Sequence, residues 1–267
     1  MKDHLGQLIG QAGSDLARGQ LLREYLQARI LQTLQDRGMF VRWAFVGGTA
    51  LRFLYTIPRF SEDLDFSLIA PAGEAELPSA LGTVSQALRA EGYAVETTAR
   101  ERTAVASGYV KFPGLLYEFG LSGRAEQVLS IKVEVDTNPP AGAAISTTLV
   151  RRHVTLNLCH YDQASLLGGK LHAILMRPWP KGRDLFDLAW YLTDRAWPAP
   201  NLILLNAALA QTHWAGPVMT DANWRPEVRR HLATLDWAAA RADVRPFLEH
   251  ERDLQLVSPA ALEQLLG

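Results

Sequence analysis

The chain has little of what marks a stapled, metal-caged or membrane-bound protein. Among its 267 residues there is one cysteine, Cys159, which can form neither an internal disulfide nor a thiolate zinc cage. Its setting, VTLNLCHY, reads as a strand carrying a small buried thiol. Long apolar runs are missing too: stretches such as Ala44–Val46 and Leu202–Leu205 fall far short of the roughly 20 residues that cross a bilayer. The opening MKDHLGQLIGQAGSD lacks the basic, apolar and small-residue order of a secretory signal. A soluble, cytoplasmic protein with no membrane partner is therefore expected. Charge of one sign is not in excess, the formal net charge being −1. That excludes a broad basic surface, so any polyanion must be met locally. Repeats with a period of about 20 to 50 residues and biased tracts are also missing. What is present is ordinary globular material, 48% hydrophobic and 21% charged, enough for one large or two small domains.

Elements of both kinds can be read along the chain. From Ser14 to Arg37, Leu16, Leu21, Leu22, Tyr25, Leu26, Ile30, Leu31 and Leu34 keep helical spacing, with Ser14 as N-cap. Val41 to Val46 reads as a short strand ending at Gly47-Gly48, followed by a helix of about two turns over TALRFLY. Asp63 to Leu68 alternates, with Leu64, Phe66 and Leu68 on one face and Asp63, Asp65 and Ser67 on the other. A loop over Pro71 to Pro78, a helix near Ala80 to Glu91, and strands over Val95–Val105, Tyr109–Phe112, Leu115–Gly120 and Ser130–Asp136 follow. Beyond Asn138-Pro139-Pro140 helical patterns take over, and a boundary near Asp162 divides residues 1–162 from a helical region, 163–267.

Three features carry chemistry. Asp63 and Asp65 lie two apart on a strand, so both carboxylates share one face, close enough to share a hard cation such as Mg²⁺, which binds through one or two carboxylates together with substrate phosphates. Gly47-Gly48-Thr49 stands at a strand-to-helix turn about fifteen residues earlier. Glycines let the backbone approach an oxyanion, helical amides point at it, and Thr49 adds a hydroxyl. Glu134 and Asp136 share a strand face with Lys132 and offer a third carboxylate if that strand pairs beside the first. Later, Lys170, Arg177, Lys181 and Arg183 place four cations within fourteen positions, ahead of Asp184 and Asp187. They could neutralise a triphosphate, or form a solvated helix face with an Arg183–Asp187 pair. His153, His160 and His172 match no zinc spacing. Arg151, Arg152, Arg225, Arg229 and Arg230 could meet an RNA backbone or stay solvated.

The run FVGGTALRFLYTIPRFSEDLDFSL resembles the signature of the DNA polymerase β-like nucleotidyltransferase superfamily. More narrowly, R-x-S-x-D-L-D-F, then IKVEVD, then KLHAILMR with RDLFDLAWYL is similar to the AbiEii/AbiGii toxin family, to which the MenT toxins belong. The resemblance covers roughly residues 40 to 195. It implies an α+β fold with a mixed sheet and a helical C-terminal region contributing to the active site. It also implies Mg²⁺-dependent transfer of a nucleoside monophosphate from an NTP. By position it places Gly47, Gly48, Thr49, Ser61, Lys170 and Arg183 at the nucleotide and Asp63 and Asp65 on metal with Glu134, favoured over Asp136. Lys170 and Asp184 join Asp63 and Asp65 as catalytic residues, with Asp187 competing with Asp184. For the MenT branch the acceptor implied is a tRNA 3′ end, and the partner of such a toxin is an antitoxin protein. A protein hydroxyl acceptor and a catalytically silent nucleotide-binding module are the alternatives.

Overall fold

The computed structural model describes residues 2–70, 74–101, 104–179 and 181–267. The chain forms two compact units. The first comprises residues 1–54, 60–139 and 147–160; the second takes residues 161–267 with two excursions, 55–59 and 140–146. The sequence places one boundary near Asp162 and gives no sign of the excursions. Among the described residues no helix is long and apolar enough to cross a membrane.

The first unit opens with α1 (Lys2–Gly10) and α2 (Asp15–Asp36). The Ser14 side chain accepts from the Ala17 amide at 3.2 Å and starts α2, while Gly38, at φ +76°, ends it with its amide on the Gln35 carbonyl. Then come β1 (Trp43–Val46), α3 (Gly47–Tyr55), β2 (Leu64–Leu68), α4 (Leu77–Ala90), β3 (Glu96–Arg100), β4 (Val105–Phe112), α5 (Leu115–Glu118), β5 (Leu129–Asp136), β6 (Ile145–Arg152) and β7 (Val154–Tyr161). Among the described residues the strands form one seven-stranded mixed sheet, ordered β3-β4-β5-β2-β1-β7-β6. β1 and β2 are antiparallel, whereas β2 runs parallel to β5, and β1 to β7. Trp43 and Phe45 from β1 and Phe66 from β2 meet at ring separations of 5.2 and 5.3 Å. Each such buried aromatic contributes about 1.5–3 kcal/mol relative to exposure, which pins the register of the central pair.

Four expectations change. Met39–Val41 is a 3₁₀ turn rather than the start of β1, because the left-handed Gly38 redirects the chain and leaves Val41 80% exposed. The strand expected over Val95–Val105 ends at Arg100, and the next begins at Val105; residues 102 and 103 lie outside the described residues, as do residues 71–73 of the expected loop. Leu115–Gly120 is a helical turn: Gly114 has φ +71°, and the Glu118 and Phe119 amides reach the Gly114 and Leu115 carbonyls at 3.0 and 3.1 Å. β6 is unanticipated because ISTTLVRR buries little and shows no clean alternation.

The second unit holds α6 (Gln163–Met176), α7 (Gly182–Thr193), α8 (Leu202–Gln211), α9 (Trp224–Leu232), α10 (Trp237–Val244) and α11 (Pro259–Leu266). Asp162 caps α6 by accepting from the Ser165 amide at 2.8 Å, and Asn201 caps α8 through the Leu204 amide at 3.0 Å. Gly182 lets α7 pass against the Ala240 carbonyl of α10, where any Cβ would collide with backbone.

Candidate active site

The glycine turn and the aspartate strand of the first unit are built against each other. β1 pairs with β2 so that Val46 stands opposite Asp65, and the next residue, Gly47, takes φ +79° to enter α3. A side chain at 47 would place its Cβ 3.1 Å from Asp65 Cβ and Cγ, and closer still to Oδ2. The carboxylate of Asp65 therefore lies over the α-carbon of Gly47, where glycine is required twice, for conformation and for space. Thr49 is fully buried, and its hydroxyl donates to the Asp63 carbonyl. That hydroxyl ties the turn to the strand rather than facing outward. Ser61, just upstream, has its carbonyl bound by Gln27 Nε2 at 3.1 Å.

Leu64 and Phe66 face the core at 0% and 2% exposure, so Asp63 and Asp65 turn to the opposite, half-buried face. The strand carrying IKVEVD does pair beside this one: β5 is its parallel neighbour, with Glu134 in register with Asp65 and Asp136 in register with Ser67. Glu134 thus shares the face and the level of Asp65. Asp136 sits two steps further along, its Oδ1 accepting from the Asn138 amide at 2.9 Å. Burial raises its pKa, and that hydrogen bond only partly offsets the effect.

Lys132 and Arg23 bring positive charge to this acidic face. Lys132 Nζ lies 2.8 Å from Glu134 Oε1. Burial works against its charge, but the hydrogen bond and charge of Glu134, with Tyr109 and Asp63 beyond, hold its pKa above that of an ordinary lysine. Arg23 of α2 donates to the Ser130 carbonyl at 2.6 Å. Its pKa is lowered by burial, against the opposing pull of Glu62 and Asp63. Sequence periodicity marks Lys132 but not Arg23, whose helix face reads as core-directed without naming what it approaches.

In the second unit, Lys170, Asp184 and Asp187 form one buried ion network. Lys170 Nζ is 2.9 Å from Asp184 Oδ1 and 2.7 Å from Asp187 Oδ2. Arg59 donates to both oxygens of Asp187, Nε at 2.6 Å and Nη2 at 2.5 Å, and Arg177 closes on Asp184. Burial penalises the charges of Arg59, Lys170 and Asp184. Even so, Asp184 and Asp187 raise the Lys170 pKa, and Lys170 and Arg177 lower that of Asp184. The solvated face expected from spacing alone is therefore not what forms: Lys170 is 13% exposed and paired twice. Arg183 lies over the Phe247 ring at 4.2 Å and 4.0 Å from Asp243, so the Arg183–Asp187 pair gives way to Arg59–Asp187. Arg59 stands in the motif R-x-S-x-D-L-D-F, but no spacing rule could pair it with a residue so distant in sequence.

The histidines are accounted for locally. His153 Nε2 lies 2.8 Å from Glu24 Oε1, His160 Nε2 lies 2.8 Å from Thr148 Oγ1, and His172 Nε2 lies 3.0 Å from Thr212 Oγ1. Arg152 is also committed, donating to both oxygens of Glu24, which is 3% exposed and further bound by Arg52 Nε at 2.5 Å. Against the desolvation cost of burial, His153, Arg52 and Arg152 hold the Glu24 pKa down to about 2. Cys159 is buried, and burial raises its thiol pKa.

Among the described residues no three His, Cys, Asp or Glu side chains are gathered into a ready metal cage. The donor set of Asp63, Asp65 and Glu134 is nonetheless all oxygen, and Mg²⁺ needs only one or two protein carboxylates when phosphates supply the rest. With no Cβ at Gly47, the Asp65 carboxylate lies where a side chain at that position would stand. Those residues fit the ion.

Comparison with known proteins agrees with this architecture. A search of curated proteins gives no match. Two solved Helicobacter pylori structures share the fold: a candidate nucleotidyltransferase, with a TM-score of 0.55 and 17% identity over 92% of this chain and 93% of the other, and JHP933, with a TM-score of 0.53 and 16% identity over 92% and 91%. A family model described as the nucleotidyl transferase AbiEii toxin of type IV toxin–antitoxin systems matches residues 29–265. With that match spanning almost the whole chain, and with the glycine turn, the aspartate strand and the mixed sheet in place, the protein belongs to the AbiEii nucleotidyltransferase toxin family.

Proposed function

We propose that this toxin transfers a nucleoside monophosphate from an NTP to the 3′ end of an RNA acceptor, a tRNA, with Mg²⁺ as cofactor. The observation that carries the reading is the interlock of Gly47 with the Asp65 carboxylate, because it ties a phosphate-type turn and a metal-type carboxylate to one spot. Asp63 and Asp65, joined by Glu134 once it exchanges Lys132, would hold the metal, which supplies charge stabilisation for the attacking and leaving oxygens. Amides at the start of α3 receive phosphate oxygens, favoured by the helix dipole. The acceptor oxygen bonds to the α-phosphorus as the bridge to pyrophosphate breaks, and a carboxylate of this face takes the hydroxyl proton. Lys170, Arg183 and Asp184 enter through the resemblance: Lys170 as a charge for the triphosphate, held by Asp184 and Asp187, and Arg183 as a nucleotide contact.

The test is to incubate the protein with each labelled NTP, Mg²⁺ and total RNA, and to identify the labelled product. Label on a tRNA-sized RNA that disappears with EDTA is expected. Label on protein alone would replace the RNA acceptor with a protein hydroxyl.

A further inference from the structure

The helical unit contains a cavity of about 400 Å³, within the range of small-ligand sites, which the site described above does not use. Trp197, Trp224 and Tyr191 line it together with Arg195, Arg225 and Asp194. Its walls are held in place. Tyr191 donates its hydroxyl hydrogen to the Pro198 carbonyl at 3.0 Å, and the Trp197 amide closes a turn on the Asp194 carbonyl at 3.1 Å. Trp197 is braced edge-on by Tyr55, Trp190 and Tyr191 at 5.0, 4.8 and 4.4 Å.

The charges in the cavity are not balanced internally. Asp194 turns its Oδ1 to the Ala196 amide at 2.9 Å and so serves its own loop. Arg225 stacks on Trp224 at 4.5 Å and spends one donor on the Leu265 carbonyl at 3.3 Å, leaving most of its five donors available. Arg195 is exposed and has no partner among the described residues. Two guanidinium groups beside the half-buried ring of Trp197, with Trp224 and Tyr191 almost fully buried, suit a ligand that joins an anion to a flat ring, since guanidinium grips phosphate and an aromatic ring stacks on a base. We infer that this cavity binds a phosphate-bearing nucleotide of single-stranded RNA, as an anchor for the acceptor strand away from its reacting end. The inference rests on the RNA-acceptor reading and adds to it a second point of attachment.

The experiment measures binding of a short fluorescent single-stranded oligoribonucleotide to the full chain, without NTP, by anisotropy against NaCl concentration. Arg195→Glu is the main variant, since an exposed, unpartnered side chain can change without harming the fold. Arg225→Lys keeps the charge and loses the flat stack. Arg195→Glu should weaken binding at least tenfold and flatten the log-log salt slope by about 0.7 for each phosphate no longer neutralised. Arg225→Lys should weaken it less, free NTP binding should stay at wild-type values in both, and Tm should stay at its wild-type value in Arg195→Glu. If wild type binds the oligonucleotide and Arg195→Glu binds it equally well, the anchor is refuted while the acceptor reading stands. If wild type binds no RNA, the acceptor reading falls and the anchor with it. Loss of free NTP binding in Arg195→Glu would overturn the assignment to an RNA strand in favour of a mononucleotide site.

Discussion

Replacing Gly47 by alanine is the sharpest single test of how the site is built. At φ +79° a side chain costs roughly 1–2 kcal/mol in backbone strain. The new Cβ would also meet Asp65 Cβ and Cγ at 3.1 Å and press harder on Oδ2, an overpacking that costs about 1–3 kcal/mol. The two together predict a loss of about 2–5 kcal/mol, and at about 2–4 °C per kcal/mol a fall in Tm of at least 4 °C. Asp65 can evade the clash only by swinging its carboxylate aside. A displacement of about 1 Å at such a group can lower turnover by about 10²-fold. The assay is a double-mutant cycle of Gly47→Ala and Asp65→Ala, read by thermal melting, with labelled-NTP transfer measured for the Gly47 variant. Asp65→Ala removes Cγ and Oδ2, so in the alanine-47 background it should restore about 1–2 kcal/mol, which appears as a coupling energy. The strain at position 47 remains. A Gly47→Ala protein with wild-type Tm and turnover, or a cycle with no coupling, would refute the interlock.

The other predictions bear on charge. Asp63→Ala and Asp65→Ala should each abolish transfer while leaving the melting temperature close to wild type, since both stand on the half-buried polar face; retained turnover in either would remove it from the metal. Lys170→Ala should lower stability by about 1–3 kcal/mol, the cost of leaving buried carboxylate hydrogen bonds unmade, while Arg59 still holds Asp187 and Arg177 still holds Asp184; a melting temperature equal to wild type would return Lys170 to a solvated role. Glu24, whose pKa falls from 4.5 to about 2 on folding, gives stability fully present above pH 4.5 and lost as pH drops through 2. The contribution is about 3 kcal/mol. Melting between pH 5 and 2 should show a drop that Glu24→Gln lacks, and equal profiles would rule out the linkage.

Several of these residues stand out from the order of amino acids alone, and there is a physical reason why they do and others do not. Gly47, Asp63, Asp65 and Glu134 are legible because strand alternation and glycine's freedom are local rules, acting over two to four residues. Local rules also find α2, whose cap and apolar stripe lie within one segment. They fail at Leu115–Glu118, where a left-handed glycine just upstream decides between strand and turn. They fail again for Lys170, since helical spacing says nothing about what covers a face. Arg152 illustrates the same limit: beside Arg151 it reads as one of a basic pair that could meet RNA or stay solvated, yet Glu24, 128 positions earlier, claims it.

The Arg59–Asp187 pair bears on the order in which the protein can be made. Arg59 leaves the ribosome 128 residues ahead of the carboxylate that neutralises it, and in the finished chain its side chain is only 2% exposed. Until α7 has been synthesised, the short excursion carrying Arg59 has no buried place to occupy, since an unpaired guanidinium would have to be desolvated at a cost of several kcal/mol. The nascent chain must keep residues 55–59 hydrated while the first unit forms. A product truncated before Asp187 would carry the aspartate strand and glycine turn without the helical unit that receives this arginine. A fragment beginning at residue 163 would in turn leave Asp187 without its two-pronged partner. For an enzyme of a toxin family, completion of the helical unit is thus deferred until late in translation.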